Sequence, residues 1–198
     1  MSYSFQPFDP RADLDISRRN LPHWQQPGAT YFVTFRLADS LPAEVCARLE
    51  EMRQLNKSDA LAWIDRYLDA GTGRCLLRTP ANAAVVAAAL RHFDGQRYHL
   101  GYFVIMPNHV HALVTPVRPS TLSSILHSWK SYSANRLQRA IGSAGRIWQE
   151  ESFDRLVRHE DELAKFRAYI QDNPASAHLG KDEFVLGTGT AIDSRPHP

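Results

Sequence analysis

Tyr98-His99-Leu100-Gly101-Tyr102-Phe103-Val104-Ile105-Met106-Pro107-Asn108-His109-Val110-His111-Ala112-Leu113-Val114-Thr115 is dense in aromatic, β-branched and apolar residues. It reads as two strands, Tyr98 to Met106 and His109 to Thr115, joined by a connection short enough for a hairpin. Working outward, Tyr31-Phe32-Val33-Thr34-Phe35-Arg36-Leu37 has the same β character. Between them a helical pattern follows Ser40-Leu41-Pro42, with Ser40 as expected N-cap, and runs to about Leu68. Asp69 to Gly73 breaks it, and residues 82–94 read as a second helix whose Ala- and Val-rich stretch, Ala83 to Leu90, is expected to be buried. After the hairpin, residues 120–140 form an amphipathic helix with Leu122, Ile125, Leu126, Trp129 and Leu137 on one face. Gly142 to Gly145 ends it. A short strand is expected around Phe153 to Val157. The last helix runs from about Glu160 to Asp172, its acidic first turn suiting the helix dipole, and Pro174 is expected to terminate it. This order predicts an α+β fold: a ferredoxin-like split β-α-β core with an antiparallel sheet, helices on one sheet face and additional helical elements. Residues 1–29, with four prolines, read as an extended arm, residues 30–179 as the folded domain, and residues 180–198 as a loose tail.

The chain has 198 residues, 43% hydrophobic and 22% charged, which excludes a disordered polymer. Two cysteines, Cys46 and Cys75, cannot make a disulfide scaffold or a Cys-based metal cluster. No apolar run approaches the roughly 20 residues that cross a bilayer. Met1 to Pro7 lacks a basic segment followed by an apolar run, so a cytoplasmic chain without membrane partners is expected. The net charge of +2 hides an asymmetry. Residues 95–149 contain no Asp or Glu but hold Arg97, Arg118, Lys130, Arg136, Arg139 and Arg146, so this window carries +6 and the remainder −4. An acid-free window suits a polyanionic partner, because each cation can neutralise a phosphate. A charge cluster of this kind is also compatible with plain surface solvation.

His109 and His111 alternate with Val110 and so share one strand face, with Cα atoms about 6.6 Å apart. Two imidazoles at that spacing can converge on one metal ion, or can sit side by side on a solvated face. Neither a third His nor a nearby carboxylate follows, so a histidine-triad hydrolase, a cupin and the usual zinc hydrolase sites are poor fits. On the last helix Tyr169 and Asn173 are four residues apart and project together. Leu163, Phe166 and Ile170 form the apolar stripe beside them. Read alone, Tyr169 is compatible with rim packing and Asn173 with a helix-ending role.

Three blocks in this order carry a more specific signal. Met106-Pro107-Asn108-His109-Val110-His111, then Trp148-Gln149-Glu150-Glu151-Ser152-Phe153-Asp154-Arg155, then Tyr169-Ile170-Gln171-Asp172-Asn173-Pro174 resemble the single-tyrosine HUH transposases, and within them the REP-associated tyrosine transposases. The resemblance extends from about Tyr31 to Leu179. It implies that His109 and His111 are metal ligands, Asn173 a third polar ligand and Tyr169 the nucleophile. It implies cleavage of single-stranded DNA beside a palindromic hairpin, through a 5′-phosphotyrosine that leaves a free 3′-OH, with Mg²⁺ or Mn²⁺ as the ion. It also implies a monomer, with a dimer as the alternative. Lys130 resembles a family position, and Lys130, Arg136, Arg139 and Arg118 are expected to bind DNA, those on the 120–140 helix holding phosphates that flank the site. Tyr132 is a competing tyrosine, but it precedes the last helix and lacks the Asn-Pro partner. The rival readings are a catalytically silent hairpin-binding protein and a replication initiator or relaxase of the wider class. The sequence departs from the family after Asn173-Pro174, in its Phe184-Val185-Leu186-Gly187 segment, and at His159, where an acidic residue is frequent.

Overall fold

Every residue of the strand at His109–Pro116 is buried, which an antiparallel strand achieves only when both faces of its sheet are covered. The computed structural model describes residues 7–9, 15–18, 22–26, 28–54 and 60–189. In chain order the elements are β1 (Asp15–Arg18), β2 (Pro22–Gln25), β3 (Tyr31–Arg36), α1 (Ala43–Gln54), α2 (Ala60–Asp69), a 3-10 turn (Leu76–Arg78), α3 (Pro80–Arg91), β4 (Tyr98–Ile105), β5 (His109–Pro116), α4 (Leu122–Ile141), β6 (Phe153–Leu156), α5 (Glu160–Ser176) and β7 (Val185–Thr188).

The main sheet has the order β6-β3-β5-β4-β7, with every neighbouring pair antiparallel. Removing β7 leaves the fourth, first, third and second core strands in that spatial order. This is the expected ferredoxin-like split β-α-β arrangement, with α3 and α4 as its two crossovers. The hairpin is confirmed, with Met106 N–H donating to the His109 carbonyl at 2.9 Å.

Alternation along β5 sorts its side chains between two cores. Val110, Ala112 and Val114 pack with Leu90 of α3 and with Ile125, Trp129 and Leu137 of α4. Leu113 packs on the other side with Phe32, Val104, Leu163 and Ile170. Helices therefore cover both faces, with α3 and α4 on one and α5 on the other, where the sequence suggested a single helical face. The two crossovers are tied through polar tips. Trp129 Nε1 donates to the Tyr98 hydroxyl at 2.8 Å, and that hydroxyl donates to the Leu90 carbonyl at 2.8 Å. Trp148 Nε1 donates to Ser133 Oγ at 2.9 Å, and Ser133 Oγ donates to the Trp129 carbonyl at 2.6 Å. Thr121 and Ser124 form a capping box at the start of α4, and Gly142, at φ 63°, closes its end in the left-handed region that glycine tolerates.

Several boundaries differ from the sequence reading. The helical stretch expected from Ser40 to Leu68 is α1 and α2, and its residues 55–59 lie outside those described. Ser40 does not cap α1: its hydroxyl donates to the Leu37 carbonyl at 2.8 Å and accepts from Arg36 at 3.2 Å. In α3 only one face is buried, and Ala84 and Ala88 are exposed. Pro174 does not end α5, which continues to Ser176. A proline in the last turn forfeits one intrahelical bond, and Ala177 N–H still closes the turn on the Asn173 carbonyl at 3.0 Å. His159 is the N-cap of α5: its Nδ1 accepts the Glu162 N–H at 3.2 Å, the task an acidic side chain performs elsewhere. The arm includes the β1–β2 hairpin, and the segment expected to be loose after Gly180 contributes β7 to the sheet edge; residues 190–198 of that tail lie outside those described.

The β7 contact depends on Gly187. A Cβ there would lie 2.6 Å from Phe103 Cζ and 2.7 Å from an Arg91 guanidinium nitrogen. Gly187→Val is expected to destabilise the protein by about 1–3 kcal/mol in urea unfolding, whereas Gly145→Ala, which meets only a contact of ordinary length, leaves the midpoint nearly unchanged.

Candidate active site

The two histidines occupy the β5 face that α5 covers, and both are 0% exposed. The solvated-face reading of the pair is therefore excluded. Each ring is fixed through Nδ1. His109 Nδ1 lies 2.7 Å from Asn108 Oδ1, while Asn108 Nδ2 donates to the Leu68 and Thr72 carbonyls at 3.0 and 3.2 Å. The amide oxygen is thus the acceptor, so His109 carries its proton on Nδ1 and presents a bare Nε2. His111 Nδ1 lies 2.7 Å from Thr34 Oγ1, its partner across the β3–β5 ladder. The two Nε2 atoms face each other at 3.0 Å. Burial pushes His109 down to about 3, and burial together with the neighbouring His109 pushes His111 well below the usual imidazole range. Both rings are therefore neutral at physiological pH.

Tyr169 and Asn173 approach from α5. The Tyr169 ring packs edge-on against His111 with centroids 5.3 Å apart, and Phe32 stacks on both His111 and Phe166. Asn173 lies one turn along α5 on the face that carries Tyr169, as the four-residue spacing predicts, and its side chain favours loss of the Tyr169 proton. The hydroxyl itself donates to Asp65 Oδ2 at 2.6 Å. Asp65 comes from α2 and is buried; its other oxygen, Oδ1, has no hydrogen-bond partner among the described residues and lies 4.0 Å from His111 Nε2. Burial raises Asp65 to about 7, partly offset by the Tyr169 hydrogen bond, and raises Asp69 to about 6. Burial, with the Asp65 charge and hydrogen bond added, holds Tyr169 far above the ordinary phenol range. The hydroxyl is thus a neutral donor in this arrangement.

The donor set fits a divalent ion. A spacing of 3.0 Å between the Nε2 atoms matches the edge of an octahedron with bonds of about 2.1 Å. Asn173 Oδ1 is buried without a hydrogen-bond partner among the described residues. In the free protein the facing nitrogens are reconciled by a proton on His111 Nε2, with the Thr34 hydroxyl donating to Nδ1. Rotation of that hydroxyl lets the same proton reside on Nδ1, which frees both lone pairs for a cation without changing the net charge. Among the described residues no three His, Cys, Asp or Glu side chains are grouped to hold a metal, so the fit rests on two imidazoles and one amide oxygen.

The structure brings His109, His111, Tyr169 and Asn173 together in one chain. It does not bring the cations to them. Lys130, Arg136 and Arg139 belong to α4, behind the sheet, and Arg118 lies beyond the opposite end of β5. Arg118, Arg136 and Arg139 are exposed. The Lys130 ammonium donates to the Glu150 carbonyl at 2.6 Å and lies 3.3 Å from Ser152 Oγ, so it pins the segment before β6. Lys130 also borders a groove of about 1290 Å³ on that face, with Arg97, Arg146, Ser128, Ser131 and Tyr132. Three site residues escaped the sequence reading: Thr34, Asn108 and Asp65. The signal for Asp65 was its place on the apolar face of α2, beside Ile64 and Leu68.

Asp65 binds a proton more readily folded than unfolded, so between its ordinary carboxylate value and about 7 its contribution to stability declines as pH rises. Asp65→Asn is expected to raise stability by roughly 2 kcal/mol at pH 8 and by little at pH 4.5, read by thermal unfolding of the metal-free protein at the two pH values.

The family model described as Transposase IS200 like matches residues 84–173. No curated protein sequence matches significantly. Among solved structures, that of a REP-associated tyrosine transposase bound to a REP hairpin is 17% identical with a TM-score of 0.48, covering 84% of this chain and 76% of its own. A candidate transposase from Deinococcus radiodurans is 16% identical with a TM-score of 0.31, covering 76% and 92%. At this level of likeness neither structure adds to the argument, and the family match stands on its own residues. Over residues 84–173, which carry both histidines, Tyr169 and Asn173, the chain is similar to the IS200-like transposase family.

Proposed function

We propose that this protein is a metal-dependent endonuclease and strand transferase acting on single-stranded DNA at repeat hairpins, as in the REP-associated branch of the family. The observation that carries the reading is the neutral, buried Nε2 pair of His109 and His111 packed against the Tyr169–Asn173 face of α5.

His109, His111 and the Asn173 amide oxygen hold the ion. Bound there, Mg²⁺ or Mn²⁺ supplies polarisation of a phosphoryl oxygen and offsets the charge that develops as the phosphodiester is attacked. Neutral ligands leave that charge undiminished. Asn108 and Thr34 keep the two rings in a ligating orientation. Tyr169 Oη attacks phosphorus, the bond to the 3′ oxygen breaks, and the DNA stays joined to the enzyme through its 5′ phosphate. Because the ester conserves the bond, an incoming 3′-OH can displace the tyrosine, which permits joining as well as cutting. All four residues come from one chain, which supports a monomer as the acting unit.

Arg136, Arg139 and Arg118 serve DNA binding away from the cleavage point. The position of Arg136 and Arg139 on α4, behind the sheet, suits a hairpin stem whose single strand passes to the Tyr169 side. Lys130 acts there by shaping the groove wall through Glu150 and Ser152.

With Mn²⁺ and a single-stranded repeat oligonucleotide, the protein is expected to form a covalent adduct that survives denaturing electrophoresis. Chelation and Tyr169→Phe should both abolish it. An adduct that persists in Tyr169→Phe contradicts the nucleophile assignment. The double variant Arg136→Ala/Arg139→Ala is expected to flatten the salt dependence of hairpin binding by about one to two in log–log slope. An unchanged slope removes these residues from the DNA path.

A further inference from the structure

Asp65 belongs to none of the three motif blocks, lies outside residues 84–173, and makes the 2.6 Å hydrogen bond to the group that must react. We propose that Asp65 is a further catalytic residue of this site, accepting the Tyr169 hydroxyl proton as that oxygen bonds to phosphorus. The proposal rests on the reaction proposed above and supplies its missing proton acceptor.

The surroundings of the hydroxyl select Asp65. The neighbouring Asn173 amide has no capacity to take a proton from it. The imidazoles are committed elsewhere, each Nδ1 to Asn108 or Thr34 and the two Nε2 atoms to one another or to the ion. Asp69, one turn further along α2, acts on Tyr169 through its charge, with no hydrogen bond to the hydroxyl among the described contacts. That leaves Oδ2 of Asp65 as the acceptor already on the O–H axis. Among the described residues its other oxygen is buried with no hydrogen-bond partner, and the only ion-pairing group within 4.0 Å of the carboxylate is His111.

The position is built. Asn108 Nδ2 bonds the Leu68 carbonyl, three residues after Asp65, and its Oδ1 bonds His109 Nδ1, so one side chain fixes the acceptor's helix and a metal-binding ring together. The remaining cores of α2, Ile64 and Leu68, are 0% and 1% exposed.

The step balances as follows. The Tyr169 oxygen forms its bond to phosphorus and passes its proton to Asp65 Oδ2. The phosphorus–O3′ bond breaks, and the departing 3′ oxygen takes a proton from solvent to become the free 3′-OH. In the reverse transfer an incoming 3′-OH loses its proton to solvent, and Asp65 returns its own to the tyrosine as the phosphotyrosine bond breaks.

The test is single-turnover adduct formation with Mn²⁺ and the repeat oligonucleotide, comparing wild type, Asp65→Asn, and each of these with 3,5-difluorotyrosine at position 169. Asp65→Asn is expected to slow adduct formation by about 100-fold or more while metal-free binding of the oligonucleotide stays within about twofold. The more acidic difluorophenol needs less help in losing its proton, so it should restore most of the Asp65→Asn rate. Thermal unfolding of Asp65→Asn checks that the variant is folded. A rate within about threefold of wild type, or a slow variant that the difluorotyrosine fails to rescue, overturns the proposal. A wild type that forms no adduct, or an adduct surviving Tyr169→Phe, shows instead that the underlying reaction is wrong, and the proposal falls with it.

Discussion

The site depends on one amide. Asn108, 1% exposed in the turn between β4 and β5, spends its oxygen on His109 Nδ1 and its nitrogen on the Leu68 and Thr72 carbonyls. The first contact decides which His109 nitrogen carries the proton. The second holds the end of α2 against the hairpin and so brings Asp65 over Tyr169. Removing the amide would strand two carbonyls and a ring N–H, a cost of about 1–3 kcal/mol for each group left buried without a partner. The larger consequence is geometric, because a freed His109 could reverse its tautomer and point N–H where the proposed cation would bind.

Around that amide the sheet divides labour between its faces. The α3 and α4 face holds the larger core, and α4 carries Lys130, Arg136 and Arg139 of the acid-free window. The α5 face holds a smaller core in which His111, Phe32, Phe166 and Tyr169 pack ring against ring. Aromatic packing sets where the tyrosine oxygen lies, and polar contacts set its protonation. The same burial that keeps the imidazoles neutral also keeps the tyrosine protonated and leaves a carboxylate poorly solvated. Such perturbed groups gather at sites that do chemistry, and here His111 and Tyr169 lie in two of the sequence blocks while Asp65 lies outside all three.

Much of this was legible in the sequence because it rests on local rules. Strand alternation put His109 and His111 on one face, and helix periodicity put Tyr169 beside Asn173. The strand-helix-strand-strand-helix order gave the split β-α-β core. What local rules could not give is the partner across the fold. Asp65 and Tyr169 are 104 residues apart, and Thr34 and His111 are 77 apart. The side of the sheet on which α4 lies was likewise invisible, so its cations were expected beside the site when they lie behind it. The β7 strand was missed because Phe184 to Gly187 is short, and an edge strand borrows its stability from the neighbour it pairs with. Pro174 misled for a physical reason: a proline in a last turn removes one bond that the turn can spare.

The central claim is that the facing nitrogens of His109 and His111 form a divalent metal centre turned toward Tyr169. Crystals loaded with Mn²⁺ test it most directly by anomalous diffraction. The account predicts a peak about 2.1–2.2 Å from both Nε2 atoms, with the Asn173 amide oxygen among its ligands and both Nδ1 contacts retained. A protein saturated with Mn²⁺ that shows no peak between the rings, or one in which the imidazoles stay hydrogen-bonded to each other at 3.0 Å while the ion binds elsewhere, would contradict it.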